Sequence, residues 1–548
     1  MLQIAGIDVG GTHVDGVILL GGKILAKEKV DADQQNLVES IISLLRKLVA
    51  TPSLQPDQIH LSTTLCTNAI VNGALDEVGM IIQAGPGLNP SFLRCGDHVF
   101  FSDGAIDHRG HVVKKPDESL LAEAKKHFRD CGLDSIGVVT KFSHRNPVHE
   151  RMIADNMVDS FSHISMGHRM SGLPNFPRRV YTTWINSGLQ SRFDSFRKAI
   201  LSGFAKLGLN CPCFILKADG GTMPFDLGAR LPCETVHSGP SASVMGGLAL
   251  APVDDDAILL DIGGTTTDIA LLAQGVPLFE PYGVTIAGRP TLIRALNTRS
   301  VGLGGDSTVA YRDNEFVIGP GRVGPPMAFG GVVPTPTDAM IVLGQLPGGS
   351  REKARQAMTA LVGDQSPVHT AKQLLETFCG QLHRAVEQMV EEVFSRPVYT
   401  VSALLGRKRL EPAELIVVGG PASAMKNCLG ENFKIPVTVP EHFEVANAIG
   451  AARTRPTMQA TLFADTSEKI LSIAEIGHRE KIHNGYTMKD AEKRLTQVIT
   501  SLARECGMGD LSDIEFIERQ ELNTVSGFYT TGKILSLKAQ LMPGLNKI

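Results

Sequence analysis

The sequence predicts an α/β protein made of two similar lobes, with a small α+β appendage at the end of the chain. Three observations predict this architecture. A short apolar strand followed by the pattern Asp-x-Gly-Gly-Thr occurs twice, at residues 4–12 and again at residues 259–265. Segments with the spacing of strands and of amphipathic helices alternate through both halves. After about Thr457 the pattern changes to a few strands and one helix, which indicates a separate small unit.

The bulk properties of the chain exclude several classes of protein. Its 548 residues are enough for more than one lobe with a large core. The formal net charge of −4 gives no reason to expect a nucleic acid or an anionic membrane as a partner. No apolar run reaches the length of a membrane span, and no basic segment precedes the first predicted strand. We therefore expect a cytoplasmic protein, and its nine scattered cysteines agree with a reducing compartment.

Cys211 and Cys213 form the only close pair of cysteines in the sequence. No cluster of histidines or cysteines lies near them in sequence, so two ordinary thiols at the start of a strand are favoured over a metal site. The sequence also contains no group of histidine, cysteine and carboxylate residues spaced as a hydrolytic metal centre.

The first lobe is predicted to span residues 1–252. Three strands open it, with Gly21-Gly22 as the hairpin turn between the second and the third. An amphipathic helix follows from about Leu37 to Val49. Alternating strands and helices at about 79–170 predict an inserted α/β subdomain, and Ile185–Leu207 has the spacing of a long helix.

The second lobe is predicted to span residues 253–444. It repeats the first lobe in outline, because its Gly-Gly-Thr turn is also followed by a strand and a further turn at Gly275. A strand at Glu414–Val418 runs into Gly419-Gly420. Small apolar residues at 445–456 predict a tightly packed connecting helix that returns to the first lobe.

The appendage is predicted to span residues 457–548. Glu468–His478 and Phe516–Leu537 have the pattern of strands, with a helix at Met488–Cys506 between them. Gly527–Lys533 approaches the P-loop pattern Gly-x-x-x-x-Gly-Lys. An isoleucine follows where a serine or threonine is needed, and the flanks have the pattern of strands, so we reject a P-loop here.

The two Asp-x-Gly-Gly-Thr segments predict a site that holds a polyphosphate between the lobes. Glycine lets backbone N–H groups approach a phosphate closely, and an aspartate can hold a hydrated divalent cation bound to that phosphate. Asp8 and Asp261 are therefore the predicted catalytic and metal-holding residues, with Mg²⁺ as the cation. One copy alone would equally indicate a turn. Two copies favour the phosphate site.

Further residues are assigned to the nucleotide by their chemistry. The two turns can donate to phosphate oxygens, a second glycine-rich loop could hold phosphate or substrate, and a later glycine pair can let adenine and ribose pack against the backbone. In that order the residues are Gly10, Gly11, Thr12, Gly263, Gly264, Thr265 and Thr266; Gly302, Gly304 and Gly305; and Gly419 and Gly420. The threonines could also be β-branched residues of a strand. His144, His149 and Glu150 are more typical of a helix surface than of a catalytic site.

Five elements occur in a set order along the chain. They are the first Asp-x-Gly-Gly-Thr, a glycine- and serine-rich helix at 237–242, the second Asp-x-Gly-Gly-Thr, the strand that ends in Gly419-Gly420, and a small-residue helix at 446–451. This order resembles the superfamily of actin, sugar kinases and heat-shock chaperone ATPases, over residues 1 to about 455. The resemblance implies a two-lobed actin-like ATPase fold with duplicated ribonuclease-H-like lobes and with ATP and Mg²⁺ as cofactors.

Within that superfamily the chain resembles the hydantoinase A/oxoprolinase family, whose members are ATP-dependent lactam hydrolases or carboxylase subunits. The motifs that carry this resemblance lie at 62–69, 146–150, 219–221, 238–242 and 301–307. They read Ser-Thr-Thr with Thr-Asn-Ala, Asn-Pro-x-His-Glu, Asp-Gly-Gly, Ser-Gly-Pro-Ser-Ala, and a glycine run. The resemblance implies an ATP-dependent hydrolase subunit that opens a lactam or hydantoin ring. It also implies a homo- or hetero-oligomer, with a hydantoinase B-like subunit as the possible second component.

The chain departs from the family in three places. Asn297-Thr298-Arg299-Ser300 stands where the larger members carry Asp-x-His-Thr. Asp306 stands where a third glycine is usual. The chain is also shorter than full-length hydantoinase A subunits, and its tail differs. These departures leave the ATPase interpretation intact and concern the substrate.

Other functions of the same superfamily stay open. A sugar or small-metabolite kinase shares the Asp-x-Gly-Gly-Thr pattern, although the sequence lacks the cysteine-rich zinc run and the Glu-x-Gly-His pair of the repressor-type sugar kinases. An ATPase subunit of an acetone-type carboxylase is a further alternative. A filament-forming or chaperone ATPase would need no small molecule besides ATP, and the glycine-rich loops argue against it.

The lactam interpretation has a chemical reason, because phosphorylating the amide oxygen turns a poor leaving oxygen into a good one.

Overall fold

The computed structural model describes residues 2–33, 36–51, 53–395, 409–506 and 514–546 of the chain. Of the helices in these ranges, none combines the length and the apolarity needed to cross a bilayer. In chain order the helices are Leu37–Leu48, Leu65–Val71, Glu118–Asp130, Val148–Met157, Gly167–Met170, Phe176–Lys206, Phe225–Arg230, Ser238–Leu250, Pro336–Val342, Arg351–Leu361, Pro367–Ser395, Ala422–Phe433, Ala446–Arg453 and Met488–Glu505.

The strands are labelled in chain order. Up to residue 224 they are β1 (Gln3–Val9), β2 (His13–Leu20), β3 (Lys23–Asp31), β4 (Gln58–Thr63), β5 (Val78–Gln83), β6 (Val99–Phe101), β7 (Ala105–Ile106), β8 (Val112–Lys114), β9 (Ser135–Thr140), β10 (His163–Met166), β11 (Cys213–Leu216) and β12 (Thr222–Pro224). They continue as β13 (Ala257–Ile262), β14 (Thr267–Ala273), β15 (Val276–Pro277), β16 (Thr285–Ile286), β17 (Arg289–Pro290), β18 (Thr298–Val301), β19 (Val309–Arg312), β20 (Glu315–Ile318), β21 (Glu414–Val418) and β22 (Val437–Thr438). The last are β23 (Gln459–Asp465), β24 (Ile470–Ile473), β25 (His478–Lys481), β26 (Ile514–Ser526) and β27 (Tyr529–Leu541).

A six-stranded sheet forms the centre of the first lobe, in the order β12-β11-β4-β1-β2-β3. β1 pairs antiparallel with β2 and parallel with β4, so it lies in the middle of this sheet, and Ala5, Ile7 and Val9 are fully buried. Gly21 and Gly22 have positive φ angles and form the predicted hairpin turn. The three opening strands and the first helix are therefore confirmed.

A parallel four-stranded sheet lies within the predicted insertion, in the order β10-β9-β5-β6. The boundaries assigned to this subdomain, to the lobes and to the appendage stay predictions. The long helix after it begins at Phe176 instead of Ile185. Its first turns bury Arg179, Thr182 and Thr183, and these polar residues interrupt the apolar spacing on which the prediction relied.

The sheet of the second lobe has the order β15-β14-β13-β21-β22, and β18 also pairs with β14. β13 pairs antiparallel with β14 and parallel with β21, which is the arrangement of β1 with β2 and β4. The long helix Pro367–Ser395 contributes Phe378 and Leu382 to the core that covers this sheet. The duplicated strand arrangement confirms the predicted fold class of two similar α/β lobes.

Two short helices pack against each other between the lobes. We name Ser238–Leu250 the first connecting helix and Ala446–Arg453 the second. A Cβ atom on Gly246 would lie 2.0 Å from the carbonyl oxygen of Ala446, and one on Gly450 would lie 2.2 Å from that of Ala242. The runs of small residues in the sequence therefore allow the two helix backbones to touch.

The C-terminal unit is an antiparallel sheet in the order β25-β24-β23-β27-β26, covered by the helix Met488–Glu505. The predicted helix is confirmed, and both predicted strand segments do contain strand, but neither is one continuous strand. Glu468–His478 contains β24 and two turns, one at Lys469 with a φ of 56°. Phe516–Leu537 covers most of a hairpin that turns at Gly527 with a φ of 61°. The turns at Lys469 and Gly527 each interrupt an apolar alternation that is continuous in the sequence.

Candidate functional site

Asp8 and Asp261 occupy equivalent positions in the two lobes. Each is the last residue but one of its strand, β1 or β13. Asp8 is only 8% exposed, whereas Asp261 is partly exposed. Asn447 on the second connecting helix donates a hydrogen bond from its Nδ2 amide to Asp261 Oδ2 over 3.2 Å. It also hydrogen-bonds Asp8, where it opposes the rise in pKa that burial causes. The two predicted carboxylates thus lie on either side of one amide.

Each of these carboxylates faces a second aspartate across a pair of antiparallel strands. Asp15 on β2 stands opposite Asp8, and Asp268 on β14 stands opposite Asp261. The sequence reasoning assigned no role to Asp15 or Asp268. A signal was present, because each follows its partner aspartate by the same number of residues in both repeats. Four acidic side chains therefore surround the space between the strand ends.

Burial and mutual repulsion raise the pKa values of this acidic cluster, Asp8, Asp15, Asp261 and Asp268. Burial raises the pKa of Asp8 to about 7, and the charges of Asp15 and Asp261 add to that rise. Burial, followed by the charge of Asp261, raises the pKa of Asp268 to about 7 as well. Burial also raises the pKa values of Asp15 and Asp261, while Lys29 lies 2.9 Å from Asp15 and opposes the rise there. A divalent cation with oxygen ligands would relieve this repulsion.

The two glycine turns have the same hydrogen-bonding pattern. The N–H group of Gly10 donates to the carbonyl oxygen of His13 over 3.0 Å, and that of Gly263 donates to Thr266 over 2.9 Å. Gly11, Thr12 and Thr266 are exposed, and Gly263, Gly264 and Thr265 are partly exposed. Both turns can therefore be reached by an anion from the solvent side.

The loop at Gly302–Gly305 lies directly behind the second turn. Gly305 donates its N–H group to the carbonyl oxygen of Gly263 over 2.9 Å. A Cβ atom on Gly304 would lie 2.5 Å from the backbone of Gly264, so this contact requires a glycine. Gly302 instead packs against Pro320. The structure therefore places Gly304 and Gly305 at the second turn, and Gly302 one step away from it.

Gly419 and Gly420 lie beside Asp261. Gly419 has a φ of 91°, and a Cβ atom there would meet Asp261 Oδ1 at 2.5 Å and the carbonyl oxygen of Ile262 at 2.4 Å. A Cβ atom on Gly420 would meet nothing within 4 Å. The first glycine is thus required by the packing of the strand ends, whereas the second faces open space in which a ligand could lie.

Two departures from the family pattern lie at this site. Ser300 on β18 donates its hydroxyl to the carboxylate of Asp268. Asp306 follows the glycine loop, accepts a hydrogen bond of 3.0 Å from Thr337 Oγ1 and pairs with Arg322 over 3.0 Å. The substitutions therefore change the surroundings of the acidic cluster and of the second turn, and not a remote surface.

The expectation that His144, His149 and Glu150 lie on a helix surface is wrong. Their exposures are 4%, 2% and 0%, respectively. The Glu150 carboxylate accepts hydrogen bonds of 2.8 Å from the backbone N–H groups of Thr140 and His168, and pairs with the His168 ring over 2.6 Å. These residues form a buried polar cluster at the end of β9, within the insertion.

Two known families match successive regions of the chain. The family described as "Hydantoinase/oxoprolinase N-terminal region" matches residues 4–159, and the family described as "Hydantoinase/oxoprolinase" matches residues 179–459. Together these regions contain the acidic cluster, both glycine turns and both connecting helices.

Two curated relatives share part of this sequence. The caprolactamase subunit alpha of Pseudomonas jessenii is 29% identical over 272 residues, which is 46% of this chain and 38% of that protein. The 5-oxoprolinase of Saccharomyces cerevisiae is 27% identical over 243 residues, which is 43% of this chain and 19% of that protein. The matched part thus spans well under half the length of these relatives.

Two solved structures share the fold. The ATP-dependent caprolactamase from Pseudomonas jessenii matches with a TM-score of 0.71 at 18% sequence identity, and covers 100% of this chain and 88% of its own. The nucleotide-free acetone carboxylase matches with the same TM-score at 16% identity and the same coverage. These likenesses confirm the predicted two-lobed ATPase fold.

Proposed function

The chain belongs to the hydantoinase/oxoprolinase family, and from that premise we propose that it binds Mg²⁺-ATP between its lobes and uses it to activate a cyclic amide for ring opening. One observation carries the proposal. Two glycine turns with the same hydrogen-bonding pattern flank an acidic cluster of four aspartates, two from each lobe. Such an arrangement suits a cation that is bound to a polyphosphate held by backbone N–H groups.

Asp8 and Asp261 are the residues that would hold the Mg²⁺ ion, directly or through its water molecules. They fit the ion because carboxylate oxygens and waters are its preferred ligands, and because burial, which raises the pKa values of both, makes their charged forms costly without a cation. Bound there, Mg²⁺ would neutralise charge on the phosphate oxygens during phosphoryl transfer. Asn447 would orient the Asp261 carboxylate through its hydrogen bond of 3.2 Å.

The two turns and their neighbours would hold the nucleotide itself. Gly11-Thr12 and Gly264-Thr265-Thr266 would donate to phosphate oxygens, while Gly10 and Gly263 close the two turns through their own N–H groups. Gly304 and Gly305 would support the second turn from behind. The open space at Gly420 would accept the adenosine. The γ-phosphoryl group would pass to the amide oxygen of the substrate, and water would then open the activated ring and release phosphate.

We further propose that ring opening involves a second, hydantoinase B-like subunit. One relative carries the name of a subunit, caprolactamase subunit alpha. Within the described ranges, the one candidate metal-binding group that includes histidine and cysteine is His98, His127 and Cys131 in the insertion, and none of these residues belongs to the acidic cluster. A hydrolytic metal centre therefore has to come from elsewhere if the reaction uses one.

One observation is compatible with two alternative functions, a kinase and a carboxylase subunit. Ser300, part of the segment that departs from the family, contacts Asp268 in the acidic cluster itself. A change at that position could accompany a change of substrate. A small-metabolite or sugar kinase, or the ATPase subunit of an acetone-type carboxylase, would use the same nucleotide site.

Calorimetry with a non-hydrolysable ATP analogue tests the nucleotide part of the proposal. We expect binding that depends on Mg²⁺ and that is lost in Asp261→Asn, with Asp254→Asn, an exposed aspartate, as the matched control. No heat of binding up to about 1 mM nucleotide would contradict it. Incubation with ATP and a panel of lactams, hydantoins, ketones and sugars then separates ring opening from carboxylation and kinase activity.

A further inference from the structure

Three metal-ligating side chains converge on the surface of the insertion. His127 and Cys131 lie one turn apart at the end of the helix Glu118–Asp130, with Cys131 as its capping residue. His98 comes from the loop just before β6, the edge strand of the insertion sheet. Their ligand atoms all lie within 4.8 Å of one another. The sequence did not reveal this group, because the fold brings His98 to the other two across a separation of many residues.

The distances between these atoms match those of a tetrahedral metal site. His98 Nδ1 lies 3.2 Å from His127 Nε2, and Cys131 Sγ lies 3.7 Å from the same nitrogen. In a tetrahedral zinc site, ordinary bond lengths place two nitrogen ligands about 3.3 Å apart and a nitrogen and a sulfur about 3.6 Å apart. Two of the three pairs are therefore already spaced as ligands of one ion, and the third pair, His98 with Cys131, lies within 4.8 Å.

Hydrogen bonding alone does not account for this convergence. The Nε2 atom of His127 has room for one hydrogen bond, as donor or as acceptor. Both His98 Nδ1 and Cys131 Sγ point at it. A cation placed between the three atoms would instead be bound by a lone pair from each of them.

The other ring nitrogen of His98 has the partner expected of a metal ligand. His98 Nε2 lies 3.5 Å from Glu77 Oε2, so the carboxylate favours the tautomer in which Nδ1 is free to bind an ion. Metal-binding histidines commonly carry such a carboxylate on the far nitrogen. The ring of His127 packs against the ring of Phe100, with the two ring centroids 5.4 Å apart.

We propose that His98, His127 and Cys131 form a transition-metal site that takes Zn²⁺ and leaves a fourth position open to solvent. Imidazole and thiolate ligands select zinc or cobalt over Mg²⁺, which prefers oxygen. The ion would fasten the start of the edge strand β6 to the end of the helix Glu118–Asp130. Glu77 acts as a positioning residue, and the site is separate from the acidic cluster between the lobes.

The test uses Co²⁺ and Zn²⁺ alone, added to the full chain under reducing, oxygen-free conditions. We expect one equivalent of Co²⁺ to give the charge-transfer absorption of a cobalt–thiolate bond, and Zn²⁺ to displace it. Cys131→Ser abolishes this band, His127→Gln weakens Zn²⁺ binding at least about tenfold, and Glu77→Gln weakens it by about tenfold. Zn²⁺ raises the melting temperature of the unaltered chain and not that of Cys131→Ser.

Cys506→Ser is the matched control, because Cys506 is also a capping residue at the end of a helix. It keeps the cobalt band and the Zn²⁺ affinity. Circular dichroism checks that each variant is folded, and a folded His127→Gln decides the question if Cys131→Ser does not fold. No cobalt–thiolate band in the unaltered chain would overturn the proposal, as would a band that survives in Cys131→Ser and disappears in Cys506→Ser.

Discussion

Asn447 donates a hydrogen bond to Asp261 over 3.2 Å and so joins the second connecting helix to the end of β13. Burial raises the pKa of Asp8, at the end of β1 in the other lobe, and a hydrogen bond from the same amide opposes that rise. One neutral side chain thus contacts the predicted carboxylates of both lobes. Because an amide cannot neutralise two charges, we expect the cluster to bind a cation, and the first four predictions below follow from this.

Asp8→Asn and Asp261→Asn should each lower ATP turnover by at least about tenfold without unfolding the protein. A carboxylate that holds the metal ion contributes on the order of a few kcal/mol to a phosphoryl-transfer barrier. Phosphate release under saturating Mg²⁺-ATP measures the effect, with Asp254→Asn as the exposed control. Full turnover in either variant would mean that the replaced aspartate is only a turn residue.

Asn447→Ala should raise the Mg²⁺ concentration needed for half-maximal nucleotide binding several-fold. Its amide stabilises the charged forms of Asp8 and Asp261, so its removal favours protonation of both and competes with the cation. Calorimetry at several Mg²⁺ concentrations measures the shift. Asn156→Ala, at an exposed position of another helix, should change nothing. An unchanged Mg²⁺ dependence in Asn447→Ala would contradict the bridging role.

The stability of the metal-free protein should fall as the pH rises toward neutrality. Burial raises the pKa values of Asp8 and Asp268 from 3.8 to about 7, so the folded state holds these protons more tightly than the unfolded state. This contribution is complete below about pH 4 and is lost as the pH passes about 7. Melting temperatures in EDTA between about pH 5 and about pH 8 measure it. Asp8→Asn should show a smaller decline, and the Asp254→Asn control an unchanged one.

Magnesium should act in the opposite direction on the same groups. Because protons and Mg²⁺ compete for these carboxylates, Mg²⁺ affinity should increase as the pH rises through about 7. An affinity that stays constant over that range would mean that Asp8 and Asp268 do not titrate where burial places them.

The contact between the two connecting helices should tolerate no side chain at Gly450. Gly450→Ala places a Cβ atom 2.2 Å from the carbonyl oxygen of Ala242, and should lower the free energy of unfolding by at least about 2 kcal/mol. Gly430→Ala is the matched control in another helix, where the nearest atom would be 3.6 Å away. That change should stabilise the protein by up to about 1 kcal/mol. Urea denaturation compares the two, and equal effects would refute the close packing.

The two glycine turns could be predicted from the sequence because a pattern repeated at the ends of two strands is local. Asp15 and Asp268 escaped notice because their position beside Asp8 and Asp261 depends on antiparallel register. Asn447 depends on the packing of a distant helix against both lobes. The roles assigned to all of these residues stay predictions.

The errors have equally specific causes. His149 lies in the first turn of a helix, where a polar residue is usually exposed, but it is buried and its Nδ1 lies 3.1 Å from Gln83 Oε1 at the end of β5. The strand predicted at Phe516–Leu537 is a hairpin because Gly527 adopts a positive φ within an otherwise regular alternation. Periodicity defines which face of a segment is apolar, and does not reveal a two-residue turn inside it.

The purified chain should hydrolyse ATP slowly and open a lactam ring only when a hydantoinase B-like protein is added. The reason is that the proposed site between the lobes would hold only nucleotide and cation. In the described ranges, the only candidate ligand group with histidine and cysteine is His98, His127 and Cys131 in the insertion. ATP-dependent ring opening of 5-oxoproline, hydantoin and caprolactam, with and without the partner, measures this. The Cys131→Ser variant serves as a control, because its metal site should play no part in the reaction. Efficient ring opening by the chain alone would refute the need for a partner, and phosphorylation of a sugar in the same assay would favour the kinase alternative.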